Sequence, residues 1–538
     1  MNGLMMDYQL TVPTLLRRAE ALYQEKEIVS RRPDKSLHRY RYAEMVDRSK
    51  RLALGLRKLG IASGDRVGTL LWNQHQHLEA YFGVPAAGAV LHTLNLRLHE
   101  DDLAYIAGHG EDRAVLVDET LWELFEKFRD RVGFEHVIWV GTPGGTAPKN
   151  TIDYESLLDA EDPAAFEYPE LDERQAAAMC YTSGTTGRPK GVLYTHRAMV
   201  LHSIAACLAD TLAVCEADTV LPVVPMFHAN AWGLPYAAAM VGSKQVLPGP
   251  YLDPADLLEL MAAERVTLTA GVPTIWLGML QLLDQQPSKY DLSALRSMVV
   301  GGSAAPRSLI QGLWERHKLR VVHAWGMTEL SPLGTISVLP SHLRQAPAEV
   351  QYDRMARQGP PIPMVEVRGR SEQGLIPWDG KTMGELEVRG ACVASAYYRR
   401  ADAGESFTED GWFRTGDIVA IEPDGCVHLQ DRAKDVIKSG GEWISSVALE
   451  NALMGHPAVA EAAVIPVAHP KWDERPLAVV VLKPDASATP DELIDSLRPH
   501  FAKWWLPDAV ELVDEIPKTS AGKFMKSTLR ERFQGRYG

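Results

Sequence analysis

Tyr181-Thr182-Ser183-Gly184-Thr185-Thr186-Gly187-Arg188-Pro189-Lys190-Gly191 packs hydroxyls, three glycines and a lysine into one short stretch. The apolar run before it, Ala176-Ala177-Ala178-Met179-Cys180, reads as a buried strand, so the loop emerges at a strand end, where ligands collect in α/β folds. Glycine lets backbone N–H groups come close to an oxyanion, the Ser and Thr hydroxyls add donors, and Lys190 adds a mobile positive charge. The chemistry is suited to phosphate. The spacing is not that of a Walker A loop, because Arg188-Pro189 separates Gly187 from Lys190 and Gly191 follows in place of a hydroxyl residue. A flexible Gly/Ser/Thr linker would have a similar composition, so the rest of the chain has to decide.

Around this loop, short apolar runs alternate with helical patterns at 66–71, 114–117, 136–140, 266–270, 298–300 and 320–323. That alternation predicts α/β architecture with largely parallel sheets. The segment 42–59 carries Met45, Val46, Ala53, Leu56 and Leu59 at helical spacing and ends at Gly60, which predicts an amphipathic helix facing a core. From about residue 360 the texture shifts to short strands punctuated by Pro and Gly, as in Gly384-Glu385-Leu386-Glu387-Val388-Arg389-Gly390, and predicts a small β-rich subdomain. After Asp431 helix and strand alternate again for about a hundred residues, the size of a small domain.

At 538 residues the chain is too long for one core. Its net charge of -14 argues against nucleic acid as the main partner, so an anionic nucleotide has to be met by local positive groups. The five cysteines (Cys180, Cys207, Cys215, Cys392, Cys426) are odd in number, with no C-x-x-C pair. That pattern fits a reducing cytoplasm and neither a disulfide framework nor a zinc site. No run approaches the ~20 apolar residues of a membrane span, and the start of the chain lacks a secretory signal pattern.

Five further segments carry chemistry. Met226-Phe227-His228-Ala229-Asn230-Ala231-Trp232-Gly233 brings His and Trp to the end of an apolar run, which plain core would also explain. Val299-Val300-Gly301-Gly302-Ser303-Ala304-Ala305-Pro306 offers small residues that leave room for a flat ring or an acyl chain, or that serve tight strand–helix packing. His323-Ala324-Trp325-Gly326-Met327-Thr328-Glu329 ends on a carboxylate, Gly411-Trp412-Phe413-Arg414-Thr415-Gly416-Asp417 sets another after a tight turn, and Pro517-Lys518-Thr519-Ser520-Ala521-Gly522-Lys523 sets a lysine in a small-residue loop.

Taken together, and in this order along nearly the whole chain, these segments resemble the acyl-adenylate-forming (AMP-binding) superfamily, and within it bacterial medium- and long-chain fatty acyl-CoA synthetases. The closest likeness runs over 225–236, 301–306, 438–446 and 503–526. The resemblance implies an α/β fold: a large N-terminal domain (1–431) of two α/β subdomains plus the small β-rich subdomain, a hinge (432–437), and a small mobile α+β C-terminal domain (438–538). It implies ATP, Mg²⁺ and coenzyme A as nucleotide, metal and co-substrate.

By the same resemblance Thr182, Ser183, Gly184, Thr185, Thr186, Gly187 and Lys190 hold the nucleotide phosphates, with Thr328, and Glu329 and Thr185 serve the Mg²⁺. One carboxylate suffices for Mg²⁺, which favours few carboxylates plus phosphate oxygens and water. Gly302, Ser303, Ala304, Ala324, Trp325, Gly326 and Met327 wall the adenine, Asp417 holds the ribose, and Arg432 is a second nucleotide contact. His228 borders the acyl carboxylate, while Trp232, Gly233, Val272 and Gly301 face the acyl chain, with Trp232 as its gate. Lys434 is the hinge residue; Lys438, Gly440, Gly441, Glu442 and Trp443 belong to the loop that enters for thioester formation; Lys523 is the catalytic lysine of adenylation. Two positions depart from the usual pattern: Trp325 stands where relatives carry Tyr, and Asp431 where many carry Gly.

The implied reaction is adenylation of a carboxylic acid followed by acyl transfer to CoA, in a cytoplasmic homodimer. A ligase for a short thioether acid such as methylmercaptopropionate, or for an aryl acid, stays open beside the fatty acid. So does a non-catalytic acyl- or nucleotide-binding relative. Peptide-synthetase adenylation is disfavoured by the absence of a carrier domain after Gly538, and luciferase-like oxidation has nothing in the chain that requires it.

Overall fold

The computed structural model describes residues 1, 3–142, 144–182, 188–400, 405–439, 442–484, 486–518 and 524–537. Among these the strands form four sheets. An eight-stranded sheet has the spatial order Leu333–Ile336, Val321–Gly326, Ser297–Val300, Leu268–Gly271, Thr219–Pro222, Lys244–Leu247, Glu27–Arg31 and Leu37–Arg41. Its inner six strands run parallel, and the two edges are antiparallel. A seven-stranded sheet orders Ile152–Asp153, His136–Val140, Asp112–Asp118, Arg66–Leu70, Val90–Thr93, Ala176–Tyr181 and Gly191–Thr195, parallel throughout except for the last strand. This is the mainly parallel α/β architecture that the alternating pattern predicts.

Helices cover the sheet faces because their apolar stripes have nowhere else to go. Tyr42–Lys58 buries Met45, Val46, Leu52, Ala53 and Leu56 completely or nearly so. Each of the larger side chains, Met45, Val46, Leu52 and Leu56, contributes about 1.5–3 kcal/mol. At its start the Glu44 carboxylate accepts the Arg41 backbone N–H at 3.0 Å, and Arg57 and Lys58 oppose the negative end of the helix dipole. The 266–270 run begins its strand only at Leu268, since the Val266 N–H turns back to the Met261 carbonyl at 3.0 Å and closes the helix Pro254–Ala263.

The Pro/Gly-punctuated region folds as an antiparallel five-stranded sheet, Gly374–Leu375, Val365–Ser371, Gly384–Gly390, Phe413–Ile421 and Val427–Arg432. Beyond it, Val459–His469 and Asp473–Leu482 pair in a long antiparallel ladder. Its two faces alternate with period two. Ala462, Val464, Ala478 and Val480 pack under the helices Ser446–Met454 and Pro490–Leu497, whereas Ala463, Ile465, Val467, Leu477 and Val479 pack against Ile516 and Leu529. Both clusters are drawn from residues 437–537, so this region has a core of its own.

Candidate active site

The strand Ala176–Tyr181 ends at the signature loop and the chain returns as Gly191–Thr195, paired antiparallel with it. The neck is closed from both sides: the Thr182 N–H donates to the Lys190 carbonyl at 2.9 Å, and the Lys190 N–H donates to Thr182 Oγ1 at 3.2 Å. Ser183, Gly184, Thr185, Thr186 and Gly187 lie outside the described residues, as do Gly440, Gly441 and Lys523. The Lys190 ammonium sits 4.6 Å above the Tyr397 ring, and Tyr397 donates its hydroxyl to Glu329 Oε1 at 2.7 Å. Burial and the neighbouring Glu329 carboxylate push the Tyr397 phenol up, so it remains a donor. One oxygen of Glu329 is thereby fixed while the carboxylate stands in the wall of the cavity.

That cavity, of about 560 Å³, opens at the carboxyl ends of Ser297–Val300 and Val321–Gly326, as expected for ligands of open α/β sheets. Thr182, Lys190, His228, Trp232, Gly301 and Gly302 line it together with the run 324–329. Arg188, Lys190, Arg400, Arg414, Arg432 and Lys434 supply positive charge against Glu329, Glu385 and Glu405. A chain of net charge -14 thus concentrates cations where a polyphosphate would lie.

The turn after Trp325 requires its glycine: a Cβ on Gly326 would stand 2.1 Å from the Pro332 carbonyl oxygen. His323, whose pKa burial lowers to about 4, accepts the Ala305 N–H at 3.3 Å and fixes the small-residue turn beside it. Of that turn, Gly301 and Gly302 wall the cavity; Ser303 is exposed, and neither it nor Ala304 reaches the wall. On the opposite side Asp417 is 1% exposed. Its Oδ2 accepts the Trp325 indole N–H at 2.8 Å, and the Arg432 guanidinium stands 2.7 Å from Oδ1. Trp325 therefore replaces the phenol hydroxyl of a tyrosine with a donor of its own, aimed at the carboxylate expected to hold ribose.

Ala229, Asn230, Ala231 and Trp232 all have positive φ, 43° to 54°. A left-handed run of non-glycine residues costs roughly 1–2 kcal/mol per residue and persists where surroundings impose it. Its effect is to bring the Trp232 ring over Gly301, where a Cβ would stand 3.0 Å from the indole. Gly233 cannot carry a side chain either, since its Cβ would meet His202 Nδ1 at 2.6 Å. Trp232, His228 and Gly302 form the partition between the main cavity and a second, mostly apolar one of about 30 Å³, walled by Val223, Phe227, Val272 and Ile275.

Lys434 stands on the rim of the main cavity, but Lys438 is exposed on the strand Ile437–Ser439, paired with Trp443 of Glu442–Ile444, and neither lines the cavity in this conformation. Tyr397, Arg400 and Arg414 are contributors that the motif reading did not assign. Arg414 lay within a quoted segment, and the run Tyr397-Tyr398-Arg399-Arg400 offered an aromatic and basic signal.

Comparison with known proteins places this geometry. The family model described as AMP-binding enzyme matches residues 16–398, and that of the AMP-binding enzyme C-terminal domain matches 448–523. A long-chain-fatty-acid–CoA ligase of Thermus thermophilus is 51% identical over 99% of this chain and 97% of its own length. A 3-methylmercaptopropionyl-CoA ligase of Ruegeria lacuscaerulensis is 42% identical over 99% of each. Among solved structures, ATP-bound MatB from Rhodopseudomonas palustris superposes with a TM-score of 0.83 at 26% identity, covering 98% of this chain and 100% of that one. With family models spanning most of its length and relatives similar from end to end, the chain belongs to the family of AMP-binding enzymes.

Proposed function

We propose that the protein is an AMP-forming acyl-CoA ligase that converts a medium- or long-chain fatty acid, ATP and CoA into acyl-CoA, AMP and pyrophosphate. The observation that carries this reading is a cavity that joins a basic phosphate end (Lys190, Arg188) and a carboxylate locked by Tyr397 (Glu329) to a Trp-partitioned apolar recess, with the buried Asp417 carboxylate held behind its wall by Trp325 and Arg432. The 51% identical long-chain ligase supports the substrate class.

A carboxylate is a poor acyl donor because its leaving group would be oxide. In the proposed first step a carboxylate oxygen bonds to the α-phosphorus of ATP and the bond to pyrophosphate breaks. In the second the CoA thiol sulfur, having lost its proton, bonds to the acyl carbon, and AMP leaves with the former carboxylate oxygen. Both partners of the first step are anionic, so Lys190, Arg188 and the sequence-assigned Lys523 offset their repulsion. An ionised carboxylate offers about four lone-pair positions. Asp417 spends one on the indole and faces Arg432 with another oxygen, leaving capacity for two ribose hydroxyls. His228 borders the carboxylate of the acid at the partition.

Glu329 suits Mg²⁺, being a buried carboxylate with one oxygen already fixed, beside Thr328 and the phosphate loop. With Thr185 it would hold the ion, which when bound neutralises phosphate charge. The sheet ending at Arg432 and the next one beginning at Ile437 support a hinge at 432–437, with Lys434 as pivot between the units 1–431 and 438–538. Turning there would bring Lys438, Glu442 and Trp443 toward the cavity for thioester formation. A cytoplasmic homodimer completes the proposal. The exposed apolar residues Leu4, Met5 and Met6 and the free cysteines are compatible with it, and no helix among the described residues is long and apolar enough to cross a membrane.

A second reading, a short thioether acid, is favoured by one observation: the recess behind Trp232 holds only about 30 Å³ in this conformation, and one relative is named for that substrate. Pyrophosphate release measured with ATP, Mg²⁺ and CoA across straight-chain, thioether and aryl acids separates the two. Highest kcat/KM on medium or long chains upholds the first reading, a maximum on methylmercaptopropionate replaces it with the second, and no turnover with any acid overturns both.

A further inference from the structure

Past Pro222 the chain leaves the eight-stranded sheet and runs without helix or strand to His228, yet it stays inside the protein: Val223, Val224, Met226 and Phe227 are each 5% exposed or less. Val223, Val224, Pro225 and Phe227 wall the apolar recess, and His228 and Trp232 follow as its partition from the main cavity. A buried segment with no ladder of its own has to find backbone hydrogen bonds elsewhere.

Its own sheet supplies some of them. The Val223 and Val224 N–H groups share the Ala270 carbonyl, each at 2.9 Å, and the His228 N–H closes a turn on the Pro225 carbonyl at 3.0 Å. The Pro222, Val224, Met226 and Phe227 carbonyls and the Met226 N–H are met from across the boundary, by Asn73, Tyr81 and Thr93 of the seven-stranded sheet and its connections.

Asn73 carries most of this. Its Nδ2 donates to the Pro222 and Val224 carbonyls, both at 3.0 Å, and its Oδ1 accepts the Met226 N–H at 2.7 Å. Only this orientation of the amide fits, since two carbonyls need the nitrogen and an N–H needs the oxygen. Asn73 is 3% exposed, and its own backbone is held where it is, because the Gly249 N–H donates to its carbonyl at 2.9 Å. Gly249 has a φ of 64° and lies where a Cβ would collide with the Arg31 carbonyl oxygen, so this anchor requires glycine.

Tyr81, on the helix His75–Ala86, donates its hydroxyl to the Met226 carbonyl, and Thr93 donates to the Phe227 carbonyl at 3.2 Å. Neither these two nor Asn73 lines the main cavity or the recess, so any effect they have on a substrate passes through the segment they hold. The nucleotide side is held by other groups: Thr182 at Lys190, Tyr397 at Glu329 and Trp325 at Asp417.

We propose that Asn73, supported by Tyr81, is a positioning residue for the acid: by pinning 222–226 from one large sheet to the other it sets where the recess wall and His228 stand, and with them the chain lengths accepted. This rests on the reading that the acyl chain enters the recess behind Trp232.

The test is steady-state pyrophosphate release by wild type, Asn73→Ala and Tyr81→Phe with hexadecanoate, octanoate and butanoate, with KM for ATP measured alongside. A long chain touches the whole wall and a short one little of it. Asn73→Ala should lower kcat/KM for the best of the longer acids roughly 10²-fold, the effect of a wall displaced by about 1 Å, and lower that for butanoate far less, with KM for ATP unchanged. Tyr81→Phe keeps the ring, which stacks on Tyr236 at 5.1 Å, and deletes one hydrogen bond, so the ratio of long-acid to butanoate kcat/KM should fall about fivefold. Loss of folded protein scales every acid alike and cannot imitate a change in that ratio. Should Asn73→Ala fail to fold, Tyr81→Phe decides. An unchanged ratio, or a KM for ATP that rises as much as KM for the acid, would overturn the proposal and leave the ligase reading standing. No turnover of any acid by wild type would overturn the ligase reading and this proposal with it.

Discussion

Asp431 and Arg432 are consecutive residues of one strand, and they serve two charge clusters of opposite character. Strand side chains alternate between faces, so Arg432 turns to the main cavity and stands 2.7 Å from Asp417, while Asp431 turns away and accepts the Ser446 N–H at 2.6 Å. Behind Asp431, Lys526 stands 2.6 Å from Glu450 and donates to Ser446 Oγ at 2.5 Å. The Asp431 cluster is sealed, with two buried carboxylates sharing one lysine inside the protein. The Asp417 cluster is open on one side, its arginine 41% exposed, and it keeps bonding capacity for a visitor. The same residue types therefore make a structural joint or a binding site according to whether the last valence is filled from within.

The largest break in this comparison comes from Lys526→Met. It leaves Asp431 and Glu450 buried without their cation, which typically costs about 3–5 kcal/mol. The denaturation midpoint should fall steeply while KM for ATP in the remaining folded protein is unchanged. Glu329→Gln should do the reverse. The amide still accepts the Tyr397 hydroxyl, so the midpoint holds, but kcat should drop roughly 10²–10³-fold, the usual cost of removing one preorganised electrostatic contact. Trp325→Phe keeps a ring at the place proposed for adenine stacking and deletes only the indole donor to Asp417. KM for ATP should rise about tenfold, the equivalent of about 1.4 kcal/mol, with little change in kcat.

The smallest effect concerns pH. Burial raises the Glu450 carboxyl to about 7 despite Lys526 beside it, and burial raises Asp431 as well. A carboxyl whose folded pKa exceeds its unfolded value, ordinarily near 4.5, contributes stability below that value and loses it as pH rises to about 7. Stability measured by denaturant should decline across that window, and Glu450→Gln should flatten the decline.

Legibility in the sequence followed the range of the interaction. The α/β alternation, the phosphate-type loop and the small-residue turn are local patterns, and the structure brings Thr182, Arg188 and Lys190 of the loop and Gly301 and Gly302 of the turn to one cavity, while Ser303 and Ala304 stay off its wall. The Trp325–Asp417 and Tyr397–Glu329 bonds join residues 92 and 68 positions apart, and no local pattern encodes them. Tyr397 and Arg400 are in the site because the five-stranded sheet carries the chain back over the cavity. The left-handed run at 229–232 is nearly silent in the sequence, since of Ala229, Asn230, Ala231 and Trp232 only the asparagine belongs to a type that favours positive φ. The positions of Lys438 and Trp443, outside the cavity, follow from the orientation of the small unit and not from their own neighbours. The hold of Asn73 on Pro222, Val224 and Met226 spans 149 to 153 positions, and no local pattern encodes it either.

The central claim is that a carboxylate oxygen of the acid becomes bonded to AMP before CoA is acylated. A fatty acid labelled with ¹⁸O in its carboxylate, incubated with the enzyme, ATP, Mg²⁺ and CoA, tests this by mass spectrometry of the nucleotide product. The account predicts one ¹⁸O in AMP for each acyl-CoA formed. Label in inorganic phosphate accompanied by ADP, or acyl-CoA formed with unlabelled AMP, would contradict it.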